Sequence, residues 1–310
     1  MVFTVNELLN EYAQHGEVFA AEKLVFTGVG DRDVYNITAP FEDEGEKVIA
    51  GRVEHRDTEF SEIVFFVEGD GVWRPRENTQ TYKLQDPFVT RIQGLLVFGG
   101  VEVFPHPENE KQLMWRTVFY KGKNIRSLEK FATGPVGMKD IRLFEYKDKV
   151  GVFTRPQGEK GGRGKIGFTL IDSLEDLNEE IIDAAPLIKP HFLDEEWGGV
   201  NAAYVAKDGE RIFALAHIAR FDQEGNRHYY PVTFEYNPEQ NEIHSMKIIA
   251  TRSDFPEGPA KRPDLEDVLF SGGLYFLDDE KVELYVGVSD AEAHKATIPN
   301  PFGEVPTFLE

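Results

Sequence analysis

The sequence predicts an all-β fold, a five-bladed β-propeller with a short N-terminal helix, and three observations carry that expectation. Short runs of β-branched and aromatic residues separated by Gly, Asp and Asn fill most of the chain, as in Ser61 to Val67, Leu95 to Phe98 and Val282 to Val288. Five apolar strands each begin at an Asn or Asp (Asn36, Asp86, Asp140, Asn201 and Asp267), at spacings of 50, 54, 61 and 66 residues. The 24 Phe and 11 Tyr can fill the layers between sheets. A repeat of several tens of residues with several strands per unit is the pattern of a propeller. All 310 residues are therefore expected to form one domain, with blades starting near 36, 86, 140, 201 and 267.

In chain order, the first element is the helix. Thr4 and Glu7 have capping-box spacing, Val5, Leu8, Leu9 and Tyr12 form an apolar stripe, and Gly16 ends it. A second short helix is expected near Leu174 to Ile182. Each strand start is followed by a hairpin and a second strand: Lys47 to Arg52, Leu95 to Gly100, Lys149 to Arg155, Arg211 to His217 and Lys281 to Val288. Further strands follow at Gln112 to Tyr120, Lys165 to Ile171 and Tyr229 to Tyr236. Beyond the fifth hairpin only the Pro-rich tail Ile298 to Glu310 is evident, so the early strand Lys23 to Val29 is expected to complete the last blade and cover its open edge.

In a propeller the start of each first strand and the end of each second strand lie at one rim. That rule sends Asn36, Arg52, Glu54, Asp86, Glu102, Asp140, Arg142, Arg155, Asn201, His217, Asp267 and Asp290 towards a common mouth. Asp and Asn at strand starts are also ordinary turn residues. Their convergence with Arg and His from neighbouring strands favours a site: carboxylates and amides suit sugar hydroxyls, and guanidinium groups suit an anion.

The 34 basic and 55 acidic side chains give a formal net charge of −21, which argues against nucleic acid and anionic membrane surfaces as partners. A local Arg cluster can still capture a small anion, because screening limits distant charges to about 10 Å. There is no cysteine, and neither a signal peptide nor a run of 18 apolar residues is evident, so a cytoplasmic location is expected. The eight His show no metal-ligand spacing, and neither zinc nor another metal is expected. Nothing in the sequence indicates an oligomeric state.

Five stretches carry a family resemblance: Gly51-Arg52-Val53-Glu54, Gln85-Asp86-Pro87, Met138-Lys139-Asp140-Ile141-Arg142 with Arg155-Pro156, Ala216-His217, and Tyr285-Val286-Gly287-Val288-Ser289-Asp290. In their order and one-per-blade placement they resemble the five-bladed β-mannoside phosphorylases of glycoside hydrolase family 130. The likeness is closer to the mannosyltransferase and phosphorylase group of glycosyltransferase family 108, formerly a domain of unknown function. The resemblance implies that Asp86 is the catalytic acid and base. Arg52, Glu54 and Asp290 would hold the mannosyl unit, and Arg142, Arg155 and His217 would surround phosphate. Asn36, Asp140, Asn201 and Asp267 complete the expected substrate-binding set.

The implied activity is an inverting β-mannoside phosphorylase or mannosyltransferase. Its partners would be a mannose-containing oligosaccharide and phosphate or a mannosyl phosphate, and it would need no cofactor beyond inorganic phosphate as co-substrate. The stretch Pro186 to Asn201, with Lys189, His191 and Trp197, departs from the phosphorylase pattern.

A physical argument runs parallel. Inverting hydrolases place a second carboxylate about 6.5–9.5 Å from the first to activate water. The first-blade position here is Asn36, which cannot act as a base, whereas phosphate arrives already anionic. Two alternatives remain: a hydrolytic propeller glycosidase pairing Asp86 with Glu102 or Asp140, and a non-catalytic sugar-binding propeller.

The Gly-rich run Gly158 to Gly167 is not a phosphate loop, since Gly164-Lys165 is followed by Ile166 rather than Ser or Thr. It reads as a hairpin loop whose Lys160, Arg163 and Lys165 could act as a flap. Lys261-Arg262 reads either as an extension of the anion site or as a solvated basic turn, and Tyr229 or Tyr230 is a candidate for stacking on a sugar, with core packing of one of them the default reading.

Overall fold

In the computed structural model, which describes residues 2–307, the β-branched and aromatic runs form antiparallel meanders in four hydrogen-bonded sheets of eight, four, three and five strands. The five-stranded sheet holds Asp33–Tyr35, Phe41–Asp43, Glu46–Glu54, Ser61–Gly69 and Val72–Pro75. The four-stranded sheet runs Gln85–Ile92, Leu95–His106, Asn109–Gly122 and Glu129–Thr133. Arg142–Tyr146, Lys149–Thr154 and Gly167–Ile171 make the three-stranded one. In the largest sheet, the meander Trp197–Val205, Ile212–Phe221, Arg227–Asn237 and Glu242–Ile248 joins a second meander through two parallel residue pairs, His228 with Asp267 and Tyr229 with Val268. The second meander is Asp267–Phe276, Lys281–Val288 and Glu292–Pro299.

Two expectations about the last meander are corrected. Its third strand, Glu292–Pro299, lies in the chain itself, and Ala20–Lys23 adds outside it, pairing Ala20 with Thr297 and Lys23 with His294. The sequence conceals Glu292–Pro299 because its Glu, His and Lys break the apolar run that marks the other strands. The edge is covered from the N-terminal side as expected, but earlier in the chain. Val25 and Thr27 instead bond to the backbone of Trp73, so one segment bridges the outer edges of the last and first meanders.

The N-terminal helix Val5–His15 begins as read. Thr4 Oγ1 accepts the Glu7 N–H at 3.2 Å and donates to the Glu7 carboxylate at 2.7 Å, and Gly16 N–H bonds to Tyr12 O at the far end. Its buried face, Val5 and Leu8, packs with Phe192, and the Val5 N–H donates to Glu196 at 2.9 Å. The second helical segment is split: a 3₁₀ turn Leu174–Asp176, then Glu179–Ala184 capped by Asn178.

The core lies between sheets rather than in one centre. Phe65, Phe98 and Tyr120 join the first and second meanders; Phe88, Phe119 and Val152 the second and third; Phe153, Phe168 and Tyr236 the third and fourth. Leu215, Leu269 and Leu284 join the fourth and fifth, and Ile37, Phe66 and Tyr285 join the fifth back to the first. At that last contact the backbones nearly touch. A Cβ on Gly272 would stand 1.5 Å from Ile37 O, so only glycine fits. None of the described helices is long and apolar enough to cross a membrane.

The Gly272→Ala variant is expected to lose at least about 1–3 kcal/mol of stability, the cost of overpacking a tight contact. Urea denaturation checks this, and an unchanged midpoint would show that the two meanders do not close on each other at that point.

Candidate active site

Three of the strand-start residues share one unusual backbone state: Asn36, Asp86 and Asp140 have φ of 45°, 50° and 57°. Asn and Asp tolerate this left-handed conformation better than other side chains with a Cβ, which accounts for their recurrence at these positions. Asn201 instead sits in a register shift between Val200 and Ala202.

Asp86 is buried, and its Oδ1 accepts from Asn36 Nδ2 at 2.8 Å and from Arg52 Nη1 at 3.1 Å. Both bonds fall on one oxygen, which leaves Oδ2 for a ligand. Arg52 turns its other edge to Glu54, with Nη2 at 2.7 Å and Nε at 3.1 Å, and lies 4.8 Å over the Tyr35 ring. Tyr35 OH donates to Glu54 Oε1 at 2.8 Å, and Lys261 bonds the same oxygen, leaving Oε2 to Arg52. Burial pushes the Asp86 carboxyl upward, but Arg52, Lys139 and the Asn36 bond outweigh it and hold it below the usual range. For Asp290, burial together with the Asp86 charge prevails over Arg52 and Lys261, so its value is raised.

A second group adjoins. Arg155 Nη1 donates to Asp140 Oδ2 at 2.8 Å, His217 Nε2 lies 3.9 Å from the same oxygen, and His217 Nδ1 is 2.9 Å from Asn201 Oδ1. Burial raises Asp140, yet Arg155, Lys139 and His217 hold it far below an ordinary carboxylic acid. Burial lowers His217 to about 3, the Asp140 charge notwithstanding, so its imidazole is neutral. Close packing here needs Gly199, whose Cβ would stand 2.9 Å from Arg155 Cδ and 3.1 Å from Asp140 Cβ. Asn36 Oδ1, Asp140 Oδ1, Arg155 Nε and Asn201 Nδ2 are buried without a hydrogen-bond partner. Each such atom costs about 1–3 kcal/mol unless a ligand or solvent satisfies it.

Arg155 opens onto a cleft of 480 Å³ walled by Trp115, Trp197, Phe221 and Tyr229, with Gln85 and Lys139, the neighbours of Asp86 and Asp140 in the chain, also among its polar lining. Arg163 lies 5.9 Å from the Trp197 ring and 5.3 Å from that of Phe221. Lys139 makes no hydrogen bond or ion pair within the described protein and is available to an anion.

Asn36, Arg52, Glu54 and Asp86 thus form one polar group with Asp290 beside it, and Asp140, Arg155, Asn201 and His217 form another. Three expected residues stand elsewhere. Asp267 bonds His228 Nδ1 and Tyr230 OH, and the bulge at the place of Asn201 in its meander falls instead at Ser271–Gly273. Arg142 lines a separate cavity that also contains Phe88, Tyr204 and Tyr275; it donates to the carbonyls of Asn201 and Ile141 and lies 4.9 Å over Phe88. Glu102 pairs with Arg116 at 2.7 Å. Of the Gly-rich loop only Arg163 reaches the cleft, because Lys160 and Lys165 bond backbone carbonyls.

Reading the sequence missed Lys139 and the buried role of Lys261, whose side chain is 3% exposed. Lys139 was visible beside Asp140 in a quoted motif, whereas a Lys-Arg pair in a polar turn carries no sign of burial. No group of three or more His, Cys, Asp or Glu placed to hold a metal ion occurs among the described residues.

The meanders have the fold of the propeller-like glycosidases: a glycosyl hydrolase from Bacteroides ovatus superimposes with a TM-score of 0.59 at 14% identity, a likeness of fold alone. The chain belongs to the family described as "Protein of unknown function (DUF1861)", whose model matches residues 11–304. Two proteins of Leishmania mexicana are similar over nearly the full length. MPT-4, a mannose phosphorylase in complex with phosphate ion, is 31% identical, covers 98% of both chains and has a TM-score of 0.89. MPT-1, a GDP-Man-dependent mannosyltransferase, is 33% identical over 99% of this chain and 97% of its own, with a TM-score of 0.87. The 4-O-beta-D-mannosyl-D-glucose phosphorylase of Bacteroides fragilis is 31% identical over 158 residues, which are 48% of this chain and 38% of that enzyme.

His191 provides a test of the electrostatics below the cleft. Its Nε2 accepts the Ile166 N–H at 3.0 Å and its Nδ1 donates to Lys189 O at 3.0 Å, a neutral tautomer. Burial lowers it to about 4. The unfolded chain takes up a proton near the ordinary value of about 6.5, which folded His191 and His217 refuse. Stability is therefore full above that value and falls as pH drops from about 6.5 towards 4. The slope of Tm against pH in that window is expected to be shallower in His191→Gln, and an unchanged slope would refute the assignment.

Proposed function

We propose that residues 1–310 form a single five-bladed propeller acting as an inverting β-mannoside phosphorylase or mannosyltransferase, cytoplasmic and independent of metal or cofactor. Support for the blade count comes from the five apolar clusters, each shared by successive meanders and the last returning to the first. The absence of cysteine and of a membrane helix among the described residues is consistent with the location.

One observation carries the function: Asp86 is a buried, ionised carboxylate with one oxygen free of internal hydrogen bonds, beside Arg155, whose Nε has no hydrogen-bond partner, and Lys139, whose charge bears on Asp86 and Asp140 without a direct hydrogen bond. That arrangement offers one proton acceptor and one anion site. The full-length likeness to a mannose phosphorylase and a mannosyltransferase names the chemistry it fits.

In the synthetic direction Asp86 takes the proton of an acceptor hydroxyl, directly or through a sugar hydroxyl. The acceptor oxygen then attacks C1 of an α-linked mannosyl phosphate or nucleotide sugar from the opposite face. The C1–O bond to the phosphoryl group breaks, phosphate or the nucleoside diphosphate leaves with the electron pair, and Arg155 and Lys139 offset its charge. Phosphorolysis is the reverse: phosphate attacks a β-mannoside and protonated Asp86 supplies the proton to the departing oxygen. The depressed value of Asp86 keeps it in the basic form, the form that the synthetic step uses. Arg52, Glu54, Asp290 and Asn36 are assigned to the mannosyl unit, and Asp140, Asn201 and His217 to holding Arg155 at the phosphate.

Asp86→Asn is expected to reduce phosphate release from α-mannose 1-phosphate, with mannose or a β-mannoside as acceptor, by at least about a hundredfold. Retained turnover would remove Asp86 from the mechanism. Sugar release from a β-mannoside without phosphate would select the hydrolytic reading, and calorimetric binding without product the sugar-binding one. GDP-mannose as donor separates transfer from phosphorolysis.

Lys139→Gln is expected to raise KM for phosphate in phosphorolysis about tenfold, the scale of a charge-assisted hydrogen bond, while its melting temperature stays that of wild type. An unchanged KM would place the anion elsewhere.

A further inference from the structure

We propose that Arg163 is a specificity-determining residue for the donor: its guanidinium takes the outer phosphoryl group of a nucleoside diphosphate sugar and has no part in the use of a sugar 1-phosphate. The inference rests on the transferase or phosphorylase reading above.

Three arginines line the cleft, and two of them are committed to carboxylates of the protein. Arg155 donates to Asp140, and Arg227 pairs with Asp264. Arg163 is exposed, and its side chain makes no hydrogen bond or ion pair among the described residues; its guanidinium lies against the rings of Trp197 and Phe221. The chain has 55 acidic side chains against 34 basic ones, so a guanidinium left without a carboxylate in a cleft wall stands out as a contact for an anion from solution. Stacking on aromatic faces holds the planar group in direction and leaves its N–H edge free to bond.

The backbone sets Arg163 next to the buried Arg155. Gly164, the following residue, lies against the Arg155 guanidinium: a Cβ there would stand 2.6 Å from Nε and 3.0 Å from Nη2. Gly162 and Gly164 have φ of 58° and 144°, so both neighbours of Arg163 adopt backbone states that favour glycine. The loop is fastened on either side of it. Gly158 and Gly162 exchange backbone hydrogen bonds at 2.8 Å, and Gly164 N–H bonds Gly161 O at 3.0 Å. Lys160 bonds Asp183 O, and Lys165 bonds the carbonyls of Phe192 and Leu193 at 2.7 Å. The glycines of this run therefore serve placement: Arg155 stands at the polar centre and Arg163 further out, at the aromatic wall.

A sugar 1-phosphate carries one phosphoryl group, which Arg155 and Lys139 meet. A nucleoside diphosphate sugar carries a second, joined through one bridging oxygen on the side away from the sugar. That second group points from the buried cation towards the exposed one, and a planar guanidinium can bond two of its oxygens at once.

Initial rates with mannose as acceptor, and GDP-mannose or α-mannose 1-phosphate as donor, test this in wild type, Arg163→Gln and Arg163→Lys. Arg163→Gln is expected to raise KM for GDP-mannose about tenfold, the scale of a charge-assisted hydrogen bond. KM for α-mannose 1-phosphate should stay at the wild-type value, and Arg163→Lys, which keeps the charge, should recover part of the loss. Equal changes for both donors, or an unchanged KM for GDP-mannose, overturn the proposal. If wild type uses α-mannose 1-phosphate alone, GDP is tested as a competitor of that donor: inhibition weakened about tenfold in Arg163→Gln supports the proposal, and equal or absent inhibition overturns it. If wild type uses neither donor, the functional reading fails on its own. Arg163 is then judged by calorimetric titration with GDP, where equal affinity of wild type and Arg163→Gln, or no binding, overturns its assignment.

Discussion

The buried guanidinium of Arg52 is the interaction on which the site depends. It joins Asp86 of the second meander to Glu54 of its own strand, and through Glu54 it reaches Lys261 ahead of the fifth. Four charges withdrawn from water in so small a volume survive only because each has a partner, and removing one would strand the others. Arg is required rather than Lys, because the planar group serves two carboxylates from different edges while lying over Tyr35. The same contact ties three stretches of chain together and fixes the protonation state of Asp86.

The repeat was legible because the polar residues that head the strands serve geometry and site together. Asn36, Asp86 and Asp140 occupy a left-handed conformation that few other side chains accept, so their recurrence shows in sequence. The fifth unit breaks the rule. Its bulge passes through Gly272 at the contact with Ile37, where no side chain fits, so the position could not carry an Asp or Asn. Asp267, five residues earlier, is the nearest acidic residue to a strand start and drew the reading to itself. The Gly272-Gly273 pair inside an apolar strand was the signal that would have corrected it.

The cleft wall was less legible. Trp197, Phe221 and Tyr229 come from three strands of the fourth meander, and nothing local distinguishes an aromatic residue at a cleft from one in the core. The identity of a ligand-facing aromatic depends on how far each strand runs past its neighbours, and Ile212–Phe221 and Arg227–Asn237 both extend beyond the lengths expected for them. Trp197 is held by its Nε1–H bond to Tyr229 OH at 3.0 Å, a contact between residues 32 apart. The N-terminal helix braces the same wall, since Glu196 accepts its first N–H and Phe3 bonds His191 O.

Arg142 shows how a matched motif can hold its place while its side chain does different work. Its Nε and Nη1 are spent on the carbonyls of Asn201 and Ile141, and its face lies on Phe88, so it closes the floor between the polar centre and the cavity beyond. Its charge still bears on the site, because Nη2 stands 3.8 Å from Asp140 Oδ1. Asp140 therefore has Arg155 on one oxygen and Arg142 near the other. A carboxylate flanked in this way is ill suited to take a proton from water, which weakens the pairing of Asp86 with Asp140 that hydrolysis would use. What the pair of arginines can do is keep Asp140 ionised and Arg155 fixed in direction, with its Nε unspent. A guanidinium fixed in direction, in a polar group adjoining that of the ionised Asp86, is the pairing on which the proposed transfer to and from phosphate rests.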